Sequence, residues 1–353
     1  MPAALLPLLF LTCGPGADAD SVLSPPWPGL PAQSLPSGWT SSTTGAWGDG
    51  LSEVSRARQW LKIPAQAVVA ELLKAPSKKF PADDPQGRNF TQDISVSLFL
   101  SSPAGAIHGY GVGLPTTVHA VAFGAVPIQA SLRIEQLRDD GDLPVALQLR
   151  LHEAAYRSAQ QVRPGVSSQD RVDLTLTGHV RVRLTALSVD GVDVGLGDCV
   201  SAPIALDLKS ATVWENDPLT DPNMHDPTNP LYDGAQPTFT PGTKAANDWL
   251  AARGVATLNG GAVSGDIDVP AFSHCLTRSG EDLSPLLTSS ISGPGNPVTV
   301  GIASVTVSSP DKGCFTRIPT FPFWTTRGPF LGDPSDCDPA FGPPTLDYPA
   351  RGD

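Results

Sequence analysis

The chain has 353 residues, a net charge of −12, 16% charged and 40% hydrophobic side chains. So acidic a protein repels phosphate backbones and anionic headgroups, which argues against nucleic acid as a partner. The 37 Pro and 34 Gly make about a fifth of the chain, below the roughly 25–30% of low-complexity sequence, and describe a folded, turn-rich protein.

Residues 1–19 read as a secretory signal peptide: an apolar run from Ala3 to Thr12 precedes Ala17-Asp18-Ala19, a small-residue cleavage site that would leave Asp20 first. The run is about half the roughly twenty residues a membrane-spanning helix needs, so no transmembrane segment is expected. No Lys or Arg precedes it, which places the true start upstream or makes the leader atypical. Cys13 lies inside it; Thr12 stands where a lipoprotein signal wants Gly, Ala or Ser. The mature chain is expected to be secreted or held in the cell envelope, outside the cytoplasm.

Residues 20–50 form a Pro/Ser/Gly-rich arm carrying Trp27, Trp39 and Trp47. In 51–80, Leu51, Val54, Ala57, Trp60 and Leu61 recur at helical spacing, Ser52 can cap, and a second run follows through Val68, Leu72 and Leu73. The Ile63-Pro64 step breaks the two, so the segment reads as a helical hairpin. From 85 to 310 the period is two. Ile94, Val96, Leu98 and Leu100 share a face, as do Ile128 to Ile134 and Val145 to Leu151. The longest alternation, 172–186, predicts a strand bent at Gly178, with a phase slip between Ala186 and Leu187 that reads as a bulge before the Asp190-Gly191 turn. Strands are also expected at 204–208, 263–269 and 298–302.

An insertion, 214–254, holds an irregular loop and then a helix from Thr243 to Arg253 with Trp249 and Leu250 inward. The tail, 311–353, is Pro-rich and carries Phe315, Phe321, Phe323, Trp324 and Phe330, enough aromatics to dock on the domain. Strands with one apolar face each and turns between them describe an all-β fold, a β-sandwich with an N-terminal helical hairpin, one inserted loop plus helix and a Pro-rich C-terminal tail.

Beyond the leader stand Cys199, Cys275, Cys314 and Cys337. Three pairings are open; Cys199 with Cys275 is preferred because both flank strands, and Cys314 with Cys337 because that bond would close the tail. At Val121-Ala122-Phe123-Gly124-Ala125-Val126-Pro127, at Gly197-Asp198-Cys199 before Pro203-Ile204, at Val269-Pro270-Ala271-Phe272 before Cys275, and at Ser292-Gly293-Pro294-Gly295-Asn296, the chain resembles uncharacterised exported proteins of actinobacteria. The resemblance spans about 115–305. It implies secretion and a β fold, and no catalytic residue.

His152-Glu153-Ala154-Ala155-Tyr156 puts Tyr where a zinc-protease motif needs its second His, and on a strand. There is no Gly-x-Ser-x-Gly elbow, phosphate loop or dinucleotide fingerprint. Asp266 and Asp268 share a strand face and Asp190, Asp193 and Asp198 cluster near a turn, the only carboxylate sets that invite a glycosidase reading. Asp217, Asp221, Asn223, Asp226 and Asp233 offer oxygen ligands for Ca²⁺ in the insertion loop, or are plain turn formers. Arg351-Gly352-Asp353 is a short match of chance frequency, and Asn89-Phe90-Thr91 is a glycosylation sequon only in a eukaryotic host. The leading expectation is a non-enzymatic surface protein that binds or displays an envelope lipid, a glycan or a protein, with the Trp-bearing arm and aromatic tail as contact surfaces. An extracellular carbohydrate hydrolase and a structural subunit of an extracellular assembly are the alternatives.

Overall fold

The computed structural model describes residues 22–23, 33–34, 37–79, 90–102, 110–122, 126–155, 171–211, 243–252, 254–257, 260–304 and 344–348. The leader with Cys13, the loop with Asp217, Asp221, Asn223, Asp226 and Asp233, Asn89, Cys314, Cys337, the aromatics of the tail and the terminal Arg-Gly-Asp lie outside the described residues.

Leaving aside the two-residue strands at Val22–Leu23, Gln33–Ser34 and Lys78–Lys79, the first seven strands are β1 Thr40–Val54, β2 Gln59–Lys74, β3 Phe90–Leu100, β4 Thr116–Ala122, β5 Val126–Gln136, β6 Leu147–Ala155 and β7 Arg171–Val189. Then come β8 Cys199–Ser201, β9 Ile204–Lys209, α1 Lys244–Ala251, β10 Gly260–Val269, β11 Phe272–Ser273, α2 Ser284–Ile291 and β12 Gly293–Ser304. Eight of these strands close an antiparallel barrel in the order β1, β2, β3, β6, β7, β9, β10, β12, with β12 pairing back onto β1. The β4–β5 hairpin joins the far half of β7.

The fold is all-β, as the alternation indicates, but it is a closed barrel and not a sandwich. One apolar face per strand is common to both architectures. The difference lies in which edges pair, and that is set by contacts between β1 and β12, about 250 positions apart in the sequence. The helical hairpin is also absent: its residues form the end of β1, a turn with Arg58 at φ 51°, and β2. Positions four apart share a face in a strand as they nearly do in a helix, so Val68 and Leu72 satisfy either period; Ala70 between them decides it, being buried on the same side. Pro64 breaks no helix. It sits where the β1–β2 register shifts between Gly48 and Gly50, a bulge that needs no N–H from it. The arm, too, yields to structure from Thr40 onward, and Trp47 is buried in a cluster with Val69, Phe99 and Tyr110.

Nineteen residues long, β7 serves two sets of neighbours. Along one edge β6 pairs through Thr177 and β5 takes over at Val180; along the other, β9 pairs to Val180 and β8 follows at Arg183. Gly178 lies at the exchange with φ 144°, and a Cβ there would stand 2.8 Å from Leu147 Cδ2. The expected bulge is present slightly earlier than the sequence places it, between Leu184 and Ala186. The extra residue, Thr185, lets Leu184 and Leu187 face the same way. Where β5 and β6 part company, Gln136, 1% exposed, fills the gap. It accepts from Leu100 N at 2.8 Å and donates to Leu98 O at 3.0 Å and Val145 O at 2.9 Å, replacing a missing ladder.

Helix α1 forms as expected behind its Thr243 cap, with Ala246 and Asn247 buried and Trp249 and Leu250 only half-buried. It packs against β10 and β12 at the end of the barrel we call the α1 end; α2 lies at the other. Residues 344–348 run along the outside. Lys62 Nζ donates to Leu346 O at 3.1 Å, and Thr345 N donates to Asp248 Oδ1 at 2.5 Å.

Replacing Gly178 by Ala forces a Cβ into Leu147 at an unfavourable φ and is expected to destabilise by about 1–3 kcal/mol in urea unfolding, whereas Gly293→Ala, which meets nothing within 4 Å, is expected to change stability by less than about 0.5 kcal/mol. Gln136→Leu leaves three buried backbone groups without partners at about 1–3 kcal/mol for each, and is expected to lower the melting temperature more than any single surface change.

Candidate functional site

The barrel is hollow. Eight strands make an interior that side chains just fill or that holds one small ligand, and here a cavity of about 1110 Å³ remains. Its emptiness traces to one stave. The inward face of β1 is Ala46, Gly48, Gly50 and Ser52, opposite walls built from Leu, Val and Ile. Leu147, Leu149 and Leu151 come from β6, Leu174 and Leu176 from the near half of β7, and Ile204, Leu206 and Leu208 from β9. Past Gly178 the same face of β7 continues through Val180, Val182, Leu184, Leu187 and Val189, so one strand lines the lumen for its whole length. At about 3.3 Å per residue, Leu174 to Val189 spans roughly 50 Å along a tilted strand.

Toward α2 the wall changes hands. Trp60 and Leu61 of β2, Val118 and Ala120 of β4 and Ile128 of β5 replace β3 and β6, and Leu287 and Ile291 of α2 cover the space. No backbone ladder joins β2 to β4 among the described residues. Side chains bridge them instead: Gln59 donates through Nε2 to Val121 O at 2.5 Å and accepts from Val121 N at 3.0 Å, and Gln66 Nε2 reaches Thr116 Oγ1 at 3.4 Å. Polar lining groups gather at this end, among them Gln59, Asp193, Thr277, Arg278, Glu281 and Ser290.

Away from the covered apolar cluster of Trp47, Val69, Phe99 and Tyr110, the outer face is hydrophilic. Gln148, Arg150 and His152 on β6 and Ser264, Asp266 and Asp268 on β10 are exposed. Apolar inside and polar outside reverses the pattern of a barrel embedded in lipid. No helix of the described residues is long and apolar enough to cross a membrane. On the same outer face, Glu135 receives Arg181 Nε at 2.9 Å and Arg183 Nε at 2.6 Å, and Arg183 also pairs with Asp198. Burial opposes ionisation of Glu135, but the bonds and charge from Arg183 and Arg181 outweigh it and hold its pKa below the usual range.

The sequence-derived carboxylates do not converge. Asp266 and Asp268 point to solvent, Asp193 accepts from Gly195 N, and Asp198 belongs to the Arg183 pair. His152 sits on a strand, its Nδ1 2.7 Å from Asp93 Oδ1 across the β3–β6 ladder. Among the described residues no group of three or more His, Cys, Asp or Glu could hold a metal ion. Cys199 and Cys275 are bonded to each other, both fully buried, in the wall at the α2 end beside Leu187, Phe272 and Leu287. Cys275 N donates to Ser284 Oγ at 3.1 Å and Phe272 N to Thr288 Oγ1 at 3.0 Å, so the disulfide and α2 are tied together.

A buried acid lies on the outside of the hollow stave. Asp49, 8% exposed, sits between Gly301 and Pro344; a Cβ on Gly301 would fall within 2.1 Å of its Oδ1 and 2.7 Å of Pro344 Cγ. Burial raises its pKa from 3.8 to about 6, against the pull of Lys62 and Lys244. Sequence reading missed both Asp49 and the lumen it backs. The signal was there in Ala46-x-Gly48-x-Gly50-x-Ser52, a strand period made of small residues.

The folded-state pKa of Asp49 lies above its unfolded value, so its protonated form stabilises the fold at low pH and that contribution is lost as pH rises through about 6. Asp49→Asn is therefore expected to raise stability at pH 8 by about 1–3 kcal/mol and to flatten the pH dependence between about 4 and 6 in denaturant titrations. Replacing Cys199 and Cys275 together by Ala is expected to cost about 2–4 kcal/mol, read as a lower melting temperature that reductant lowers no further unless a second bond exists. No family model, no curated protein and no solved structure matches this chain.

Proposed function

We propose that this protein is an exported binder that carries an elongated apolar molecule, such as the hydrocarbon chain of a lipid, inside its barrel. The single observation behind the reading is the cavity: about 1110 Å³, lined almost wholly by aliphatic side chains and enclosed by a polar exterior. Ligand sites generally occupy roughly 300–1,000 Å³, so at about 1110 Å³ this one lies just above the range. Each methylene moved from water into such a lumen contributes about 0.8 kcal/mol, and a chain of a dozen carbons supplies enough to offset the cost of immobilising it. An apolar cavity of this size offers water few partners, whereas a hydrocarbon chain fits its length and its chemistry.

The export part of the proposal rests on the leader-like first nineteen residues and is supported by the Cys199–Cys275 bond, which suits an oxidising compartment. Within the earlier choice of lipid, glycan or protein partner, a lumen whose described lining is mainly aliphatic favours lipid over sugar. Of the described tryptophans, Trp47 is buried, Trp60 lines the lumen, and Trp39 and Trp249 are half-buried.

Filling the lumen from its empty stave tests the reading. A Cβ at Gly50 meets only Ile63, at 3.5 Å, so Gly50→Leu projects into the cavity without a backbone clash. The wild-type protein is expected to bind a fluorescent fatty acid and to release lipid on solvent extraction. Gly50→Leu is expected to bind at least about tenfold more weakly, a loss of about 1.4 kcal/mol, with an unchanged or higher melting temperature. A wild type that takes up no apolar probe sinks the proposal, as does a filled variant that binds as well as its parent.

A further inference from the structure

The lumen is chemically polarised from end to end. On the α1 side the described side chains that line it, such as Leu72, Val96, Leu151 and Leu174, are aliphatic. On the α2 side, polar groups of both charge signs appear together, with Asp193, Thr277, Arg278 and Glu281 on adjoining segments. Arg278 lies flat over Gly195, its Nε within 3.1 Å of where a Cβ would be, and Asp193 Oδ1 accepts from Gly195 N at 2.8 Å, so this polar rim is held by the chain itself. The same end carries unusual apolar exposure. Val121 is 43% exposed, Val192 67%, Leu276 51% and Leu286 42%; of the described residues only Val145 and Tyr348 join them among exposed large hydrophobics. Val121 and Leu286 also line the cavity, so apolar surface runs without a break from the outside into the bore.

Resting on the reading of the barrel as a lipid binder, we infer that the ligand is a single-headed amphiphile held in one orientation. Its hydrocarbon tail lies toward the α1 end and its polar head among Gln59, Asp193, Thr277, Arg278 and Glu281 at the α2 end, where it also enters and leaves. Reversal would set the head against Leu72, Leu151 and Leu174, where a buried polar group finds no hydrogen-bond partner, and would leave methylenes facing water at the rim. The rim offers donors and acceptors of both signs, so it recognises a polar head without demanding an anion or a cation. The exposed Val121 and Leu286 give the tail a continuous apolar path into the lumen.

The orientation is read directly by methyl NMR on full-length protein labelled at Leu and Val, titrated with two stearates. One carries a nitroxide near its carboxyl and the other at its methyl end. The methyl-end label is expected to abolish the Leu72, Leu151 and Leu174 signals and spare Val121, Val189 and Leu286; the carboxyl-end label is expected to do the opposite. A reversed pattern, or equal broadening of both sets by both labels, overturns the fixed orientation while leaving lipid binding intact. Loss of no signal in either set, in protein that keeps its spectrum, overturns the binding reading beneath it. Because no substitution is needed, misfolding cannot mimic any of these results.

Discussion

The constraint on which the structure depends is that β7 must keep one apolar face turned to the lumen while its neighbours on both sides are exchanged. A strand of period two can do this only if its phase is corrected wherever it twists or is locally displaced. Gly178 allows the backbone geometry at the exchange, and Thr185 absorbs one residue so that Leu187 and Val189 rejoin the face begun by Leu174. Every other stave is placed relative to that strand. The β4–β5 hairpin and the β8–β11 pair extend the wall only because β7 runs on past the ends of β6 and β9 to receive them.

Much of this was legible in the residues. The alternation at 94–100, 128–134, 147–151 and 174–184 gave strands and buried faces, although Val145 lies outside β6 and is exposed and Ala186 is thrown off the face by the bulge; Gly178 stood out as the point of bending, and Cys199 and Cys275 were preferred partners because each flanks a strand. Closure was not legible. Alternation reports which side of a strand is apolar and is silent on whether its sheet has edges, so a barrel and a sandwich write the same pattern. The hairpin at 51–75 failed for a related reason: Val68 and Leu72 fit both periods, and a proline at a bulge looks like a proline ending a helix.

The candidate site was harder to see because it consists of missing volume. Sequence analysis looks for groups that do chemistry, and the carboxylates and histidines it found are surface pairs such as His152 with Asp93 or Asp198 with Arg183. What makes the lumen is the smallness of Ala46, Gly48, Gly50 and Ser52, in a stretch that reads as the end of a Pro/Ser/Gly-rich arm followed by a helix cap at Ser52. Gln136 was equally invisible. A lone glutamine in an apolar strand carries no spacing signal, and its three bonds are to backbone groups brought near by the fold.

The seam between β2 and β4 sets how this wall can deform. Most neighbouring staves, such as β1–β2, β3–β6 and β10–β12, are stitched by ladders whose opening would break several backbone bonds together, whereas β9 and β10 share the single pair Lys209–Ser264. Between β2 and β4 Gln59 and Gln66 form the bridges, with bonds worth about 0.5–1.5 kcal/mol each. A cylinder with weakly sewn seams does not dilate evenly; it gapes. Parting the β2–β4 seam breaks side-chain bonds alone, so the α2 half can widen there at small cost while the disulfide-braced wall around Cys199 keeps its shape.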